Sequence, residues 1–275
     1  MIGQFILAFA IAAVLALGAT PLVMRLAHVV GAVDKPDKRK IHSRTMPRLG
    51  GVAVFFSFIV TSLFFFIYRS DIVITPWTEQ YQGIVLLVTA VMILALGVWD
   101  DIKQLGPGLK FGLQVAISTI VWAAGIRITV IAQPLGGGDF MLGLLSYPAT
   151  VLWIVGIMNA VNLIDGLDGL ASGVTMVASV TIGAIAFVKF SDTGTPMLAI
   201  ILAGALLGFL RYNFNPAKIF LGDSGSLFLG FALAVMSLVA STKGSAAFAI
   251  LIPAISLGLP ILDTSLAMLR RLVRP

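Results

Sequence analysis

The chain has 275 residues, 59% of them hydrophobic and 11% charged, with a mean hydropathy of +1.05. That composition excludes a soluble globular domain and predicts an all-α polytopic membrane protein. The net charge of +6 calls for no nucleic-acid partner, because the basic cytoplasmic face of such a protein accounts for it, and the absence of Cys excludes disulfides and thiol catalysis.

Hydropathy and helix-breaking residues predict nine transmembrane spans within a single domain covering 1–275: about 2–24, 50–68, 83–99, 108–125, 147–163, 171–190, 195–212, 225–242 and 247–269. No Lys or Arg precedes the first span, and its first positive charge, Arg25, follows it. A cleaved signal peptide has the opposite polarity, so this span is expected to be retained with the amino terminus outside. Alternating spans then put 14 of the 18 Lys and Arg on one side and 4 on the other. The richer side is expected to be cytoplasmic. His28, near the inner end of span one, reads as a packed or interfacial residue.

The first cytoplasmic loop, Gly31 to Gly51, reads GAVDKPDKRKIHSRTMPRLGG and contains His42. Much of its charge fits a loop held against anionic headgroups. Its end is different: Pro47, Arg48, Gly50 and Gly51 place a guanidinium beside a flexible turn, where backbone and side chain can approach a phosphate together. Span three closes on Asp100 and Asp101, with Lys103 two residues later. Two acids at a helix carboxyl end oppose its dipole, which points to a function for the pair. Residues 126–146 alternate β-branched residues around a Gly triplet and are expected to form a short outer hairpin or re-entrant loop without chemistry.

The central stretch, Asn159 to Gly173 (NAVNLIDGLDGLASG), sets Asn159, Asn162, Asp165 and Asp168 every three residues at the end of an apolar segment. Such residues are neighbours while the backbone stays helical. Gly166 and Gly169 argue that the helix stops there. A third cytoplasmic cluster, RYNFNPAKIFLGDSGS from Arg211 to Ser226, sets Asp223 in a Gly/Ser turn at the start of span eight, where it either caps the helix or holds a cation. Asp263 in span nine lies about two turns from Arg270 and is expected to pair with Arg270 or Arg271.

Seven of the 12 acids fall in cytoplasmic loops, and with two His and no Cys the ligand pool is carboxylate, amide and carbonyl oxygen. That pool suits Mg²⁺ or Mn²⁺ rather than Zn²⁺, and the interspersed Lys and Arg suit the phosphates such a metal bridges. The expected site is one at the bilayer surface where a lipid-borne phosphate meets a cytosolic phosphate compound.

The stretches DKPDKRKIHSRTMPRLGG, DDIKQLGP, NAVNLIDGLDGLASG, NFNPAKIFLGDSGSLFLG and PILDTSLAMLRR resemble, in order, the motifs of the polyprenyl-phosphate N-acetylhexosamine-1-phosphate transferases, which include the phospho-MurNAc-pentapeptide translocase of peptidoglycan synthesis. The form of the first motif, His42 followed by Pro47, Arg48, Gly50 and Gly51, is similar to the UDP-GlcNAc branch. The resemblance implies UDP-GlcNAc plus undecaprenyl phosphate giving undecaprenyl-diphosphate-GlcNAc and UMP, at a bacterial inner membrane, in the initiation of an envelope polysaccharide. It assigns Mg²⁺ to Asp223, with Asn162 as a second ligand, and implies catalytic roles for Asp100 and Asp101 at the reacting phosphates. Asp165, Asp168, Asn213 and Phe220 are expected near the nucleotide, and His42, Arg48 and Lys103 join them as substrate-binding candidates. A homodimer is implied as well.

The resemblance implies a continuation past the Arg pair into a His-rich loop and one or two further spans, beyond Pro275 where the sequence stops. Two other readings fit less of the chain. An ion-coupled transporter would use Asp263 and broken helices, yet the acids gather at one face and not at the midplane. A CDP-alcohol phosphotransferase needs Asp-Gly-x-x-Ala-Arg, whereas Asp168-Gly169 is followed by Leu170, Ala171 and Ser172.

Overall fold

The computed structural model describes residues 2–34, 45–68, 80–131, 140–190 and 193–242. Its helices are α1 (Ile2–Val30), α2 (Gly50–Tyr68), α3 (Gln80–Lys103), α4 (Pro107–Ala123), α5 (Ser146–Ile164), α6 (Leu170–Phe190), α7 (Gly194–Asn213) and α8 (Gly222–Thr242). These eight fall on the first eight expected spans. The ninth expected span, 247–269, lies outside the described residues together with Asp263, Arg270 and Arg271. Seven of the eight described helices are long and apolar enough to cross a membrane, and α4 is shorter, at 17 residues.

Helix α1 runs to Val30, past its expected end and through Pro21. A proline inside a helix frees the carbonyl four residues before it, which in a membrane must find another partner. The Tyr212 hydroxyl of α7 donates to that carbonyl, on Leu17, at 3.3 Å. Along the same contact α1 buries Ala8, Ala12 and Ala16, while Gly204 and Gly208 of α7 lie so close to the Phe9 and Ala13 carbonyls that no Cβ would fit. Small residues at such spacing let helices pack where no hydrophobic force separates helix from lipid.

Helix α8 is apolar all round and almost wholly buried, as a central helix should be. It packs against α2, α3, α5 and α6. Three glycines on its neighbours and itself permit the approach: Gly51 of α2 meets the Gly225 backbone, Gly97 of α3 meets Ser224, and Gly230 of α8 meets Met158 of α5. Two antiparallel pairs of two-residue strands complete the fold. The first, β1 (Val33–Asp34) with β2 (Met46–Pro47), leads into α2. The second, β3 (Val130–Ile131) with β4 (Phe140–Met141), is the hairpin expected in 126–146.

The segment after β2 is stitched to the segment before α8. Phe220 N–H donates to the Pro47 carbonyl at 2.9 Å, and Gly50 and Gly51 N–H donate to the Phe220 and Leu221 carbonyls at 3.1 and 2.8 Å. The carboxyl ends of α3 and α5 and the amino ends of α2, α4 and α8 thereby meet at one face of the bundle.

A Cβ on Gly97 would strike the Asp223 carbonyl and the Ser224 backbone, whereas one on Gly156 meets nothing within 4 Å. Gly97→Ala is therefore expected to destabilise the bundle by about 1–3 kcal/mol through overpacking. Gly156→Ala should be neutral or raise stability by up to about 1 kcal/mol through helix propensity. Thermal unfolding in detergent reads both, and equal midpoints for the two variants would contradict this packing.

Candidate active site

The first turn of α8 is where the site begins. A helix start has backbone N–H groups without internal partners, and where it is buried they must be met by other groups of the protein. Asp101 supplies the partners: Oδ1 accepts from Asp223 N–H at 2.9 Å and Oδ2 from Ser224 N–H at 3.0 Å. Its side chain is fully buried, with Arg48 Nε at a long 3.9 Å. Gly222 adopts φ +74°, and a Cβ there would strike the Arg48 carbonyl and lie 2.7 and 2.9 Å from the Asp101 oxygens. Only glycine fits that bend.

Asp100 is turned to different partners. Its Oδ1 accepts from Leu105 N–H at 2.6 Å, and its Oδ2 is 2.8 Å from Lys110 Nζ. The two acids that oppose the α3 dipole are thus each satisfied from outside the helix, Asp101 by two amides and Asp100 by an amide and an ammonium. The same Lys110 Nζ lies 2.7 Å from Asp223 Oδ2 and 3.4 Å from Asn162 Oδ1. Asn162 Nδ2 donates to Asp223 Oδ1 at 2.7 Å and to Ser226 Oγ at 2.8 Å. Oxygens from α3, α5 and α8 therefore converge on one cation carried by α4.

Asp165 follows the end of α5, next to this cluster. Burial, reinforced by the charges of Asp223 and Asp101, pushes its carboxyl well above the usual range, against the opposing pull of Arg48 and of a hydrogen bond from Gly222 N–H. Asp168 serves the neighbouring turn: its Oδ2 accepts from Ala217 N–H at 2.9 Å and from Asn215 Nδ2 at 3.2 Å. Asn213 closes the same turn from beneath, buried, donating to the Ile219 carbonyl at 3.0 Å and accepting from Ser172 Oγ at 2.9 Å. Phe220 is half-buried, and Phe214, at the other end of the turn, is 68% exposed.

Of the candidates named from sequence, Asp100, Asp101, Asn162, Asp165, Asp223 and Arg48 come together, and Asp168, Asn213 and Phe220 form the adjoining turn. Lys103 is exposed at the end of α3. His42 lies outside the described residues, and His28 donates from Nδ1 to the Met24 carbonyl of its own helix. Sequence reasoning missed Lys110 and Ser226. Lys110 carried a signal: a lone cation in the first turn of an apolar helix, where the dipole disfavours it, needs an anion nearby.

Among the described residues no three acidic or imidazole groups form a ready-made metal cage. Mg²⁺ does not require one, since it binds through one or two carboxylates together with substrate phosphates and water. Asp223, Asn162 and Asp100 already hold a cationic group at 2.7, 3.4 and 2.8 Å. That donor set fits a hard divalent cation.

Residues 83–241 match the family model described as glycosyl transferase family 4, a stretch that takes in Asp100, Lys110, Asn162, Asp165 and Asp223. The chain is 40% identical over 270 residues to a probable undecaprenyl-phosphate N-acetylglucosaminyl 1-phosphate transferase of Bacillus subtilis, covering 98% of this chain and 72% of the relative. It is 34% identical over 282 residues to a decaprenyl-phosphate N-acetylglucosaminephosphotransferase of Mycobacterium tuberculosis, covering 94% and 69%. A phospho-N-acetylmuramoyl-pentapeptide-transferase of Limosilactobacillus reuteri is 37% identical over 209 residues, covering 70% and 60%.

The surroundings of Asp165 oppose its ionisation, and an Asn there keeps an oxygen for Gly222 N–H. Asp165→Asn is expected to unfold at a higher temperature than the wild type in metal-free buffer at pH 8. The penalty it removes is absent below the unfolded pKa of about 4 and grows as pH rises towards the raised folded value, so the gain should vanish near pH 4. A lower midpoint at pH 8 would contradict this.

Proposed function

The chain belongs to glycosyl transferase family 4, and from that membership we propose that it transfers GlcNAc-1-phosphate from UDP-GlcNAc to undecaprenyl phosphate. The products are undecaprenyl-diphosphate-GlcNAc and UMP, formed at the cytoplasmic face of a bacterial membrane to initiate an envelope polysaccharide. The observation that carries this reading is the convergence of Asp100, Lys110, Asn162 and Asp223 at one end of four apolar helices. A phosphate on a lipid and a diphosphate from the cytosol can both reach such a place. The bias of 14 of 18 Lys and Arg to that side supports a cytoplasmic site.

A phosphate monoester has a second pKa near about 6, so the acceptor is largely a dianion at neutral pH and needs no strong base. One of its oxygens attacks the phosphorus that bears the sugar. The bond from that phosphorus to the bridging oxygen breaks, and UMP leaves with the electron pair. The barrier is chiefly the meeting of a dianion with a diphosphate, and it falls when positive charge is fixed in place beforehand. Lys110 and Arg48 supply that charge from α4 and the β2–α2 turn. Mg²⁺, which Asp223 and Asn162 would hold, would supply further neutralisation of the diphosphate.

The two adjacent acids divide the work. Asp101, both of whose oxygens are engaged by α8 amides, is a positioning residue. Asp100 orients Lys110, and through it the acceptor. Asp165 and Asp168 face the nucleotide end of the site, with Phe220 and the exposed Phe214 as aromatic surface for uracil. The Pro47-Arg48-x-Gly50-Gly51 form of the first motif favours GlcNAc over a MurNAc-pentapeptide donor.

Purified protein should release UMP from UDP-GlcNAc only with undecaprenyl phosphate and Mg²⁺ present, and Asp223→Ala should lower the rate at least a hundredfold. UMP release in a single turnover without acceptor would contradict direct attack. Release from UDP-MurNAc-pentapeptide in place of UDP-GlcNAc would reassign the donor.

A further inference from the structure

We infer that Lys110 and a divalent cation are alternative occupants of one oxygen cage, so that the resting site carries its own counter-ion and the metal enters by exchange. The inference rests on the transferase reading for its purpose, though not for its geometry. An ammonium has three N–H donors, and the three oxygens about Lys110 Nζ, from Asp223, Asp100 and Asn162 at 2.7, 2.8 and 3.4 Å, match that number. The Lys110 side chain is 14% exposed, so the charge is largely withdrawn from solvent.

Both Asp223 oxygens are already taken, Oδ1 by Asn162 Nδ2 and Oδ2 by Lys110 Nζ. Asn162 gives its own Oδ1 to the same ammonium. Each of these oxygens keeps a second lone pair, but a divalent cation brought to Asp223 Oδ2 and Asn162 Oδ1 would stand against the ammonium bonded to the same two atoms, and that repulsion displaces Lys110 from both. The ammonium relieves the repulsion between the Asp100 and Asp223 carboxylates, which share it as a partner. Lys suits the task, being a compact charge on a four-carbon stem that can swing away without moving its helix. It stands two residues after Gly108, in the first turn of α4 that Gly106 and Pro107 open. Once displaced, the ammonium is left beside the place where the diphosphate arrives.

The test is Mn²⁺ binding by the full chain in detergent with no nucleotide or lipid substrate, read from the loss of the free Mn²⁺ electron paramagnetic resonance signal. Removing the resident charge leaves the cage more negative, so Lys110→Met should bind Mn²⁺ at least tenfold more tightly than the wild type. Lys218→Met, which removes an exposed lysine outside the cage, should stay within twofold. If Lys110→Met does not fold, Lys110→Gln is read by the same criterion. Binding that is unchanged, weaker or undetectable in the Lys110 variant overturns the exchange. UMP release by the wild type alongside equal affinities would sink the exchange and leave the transferase standing. Tenfold tighter binding in a protein that never releases UMP would do the reverse.

Discussion

Two backbone N–H groups, on Asp223 and Ser224, start a helix inside a membrane bundle, and the Asp101 carboxylate accepts from both. Much else at this face follows from meeting that need. The carboxylate must come from the end of α3, so α3 and α8 must touch, which Gly97 allows. The chain must bend sharply before α8, which Gly222 allows beneath the Arg48 carbonyl. The bend in turn aims Asp223 away from the helix start and towards Lys110 and Asn162. The capped start of α8 and the carboxylate that meets Lys110 and Asn162 are thus one arrangement seen from its two sides.

The adjacency of Asp100 and Asp101 has a physical sense in that arrangement. Neighbouring residues on a helix point about 100° apart, so one carboxylate can lie against the amides of α8 while the other reaches Lys110. A single acid could not satisfy both. The site is also assembled from distant parts of the chain: Lys110 and Asp223 are 113 residues apart, Asn162 and Asp223 are 61 apart, and Asp101 and Ser224 are 123 apart. Its geometry therefore depends on the packing of whole helices, with small residues at their crossings.

Most of the helices were legible because hydropathy and chain punctuation report the same boundaries in a membrane protein. Where they missed, a side chain had replaced something the backbone lost, as Tyr212 does for the carbonyl freed by Pro21 in α1. The acid clusters were legible because ionised groups beside apolar helices are costly without a use. Their division of labour was not. Asn159, Asn162, Asp165 and Asp168 read as one series, but α5 stops at Ile164 and the series separates. Asn159 bonds to Gln114, Asn162 to Asp223, and Asp168 to the 215–217 turn. Asn213, expected beside the nucleotide, is buried under that turn as a brace. Such partners depend on interhelix registers that no local pattern records; Lys110 carried a local signal as a lone cation in the first turn of an apolar helix, but its partners did not.

The geometry sets Asp101 against the first turn of α8 and leaves Asp100 facing Lys110. The most direct measurement compares Asp101→Asn with Asp100→Asn, taking the thermal midpoint and the rate of UMP formation of each in the same detergent. An Asn at 101 sets an N–H group against a backbone N–H of α8, so that variant should lose stability and activity together. Asp100→Asn should keep a midpoint near that of the wild type while its turnover falls at least tenfold. The reverse pattern, with Asp101→Asn as stable as the wild type and Asp100→Asn the one that unfolds early, would contradict the account.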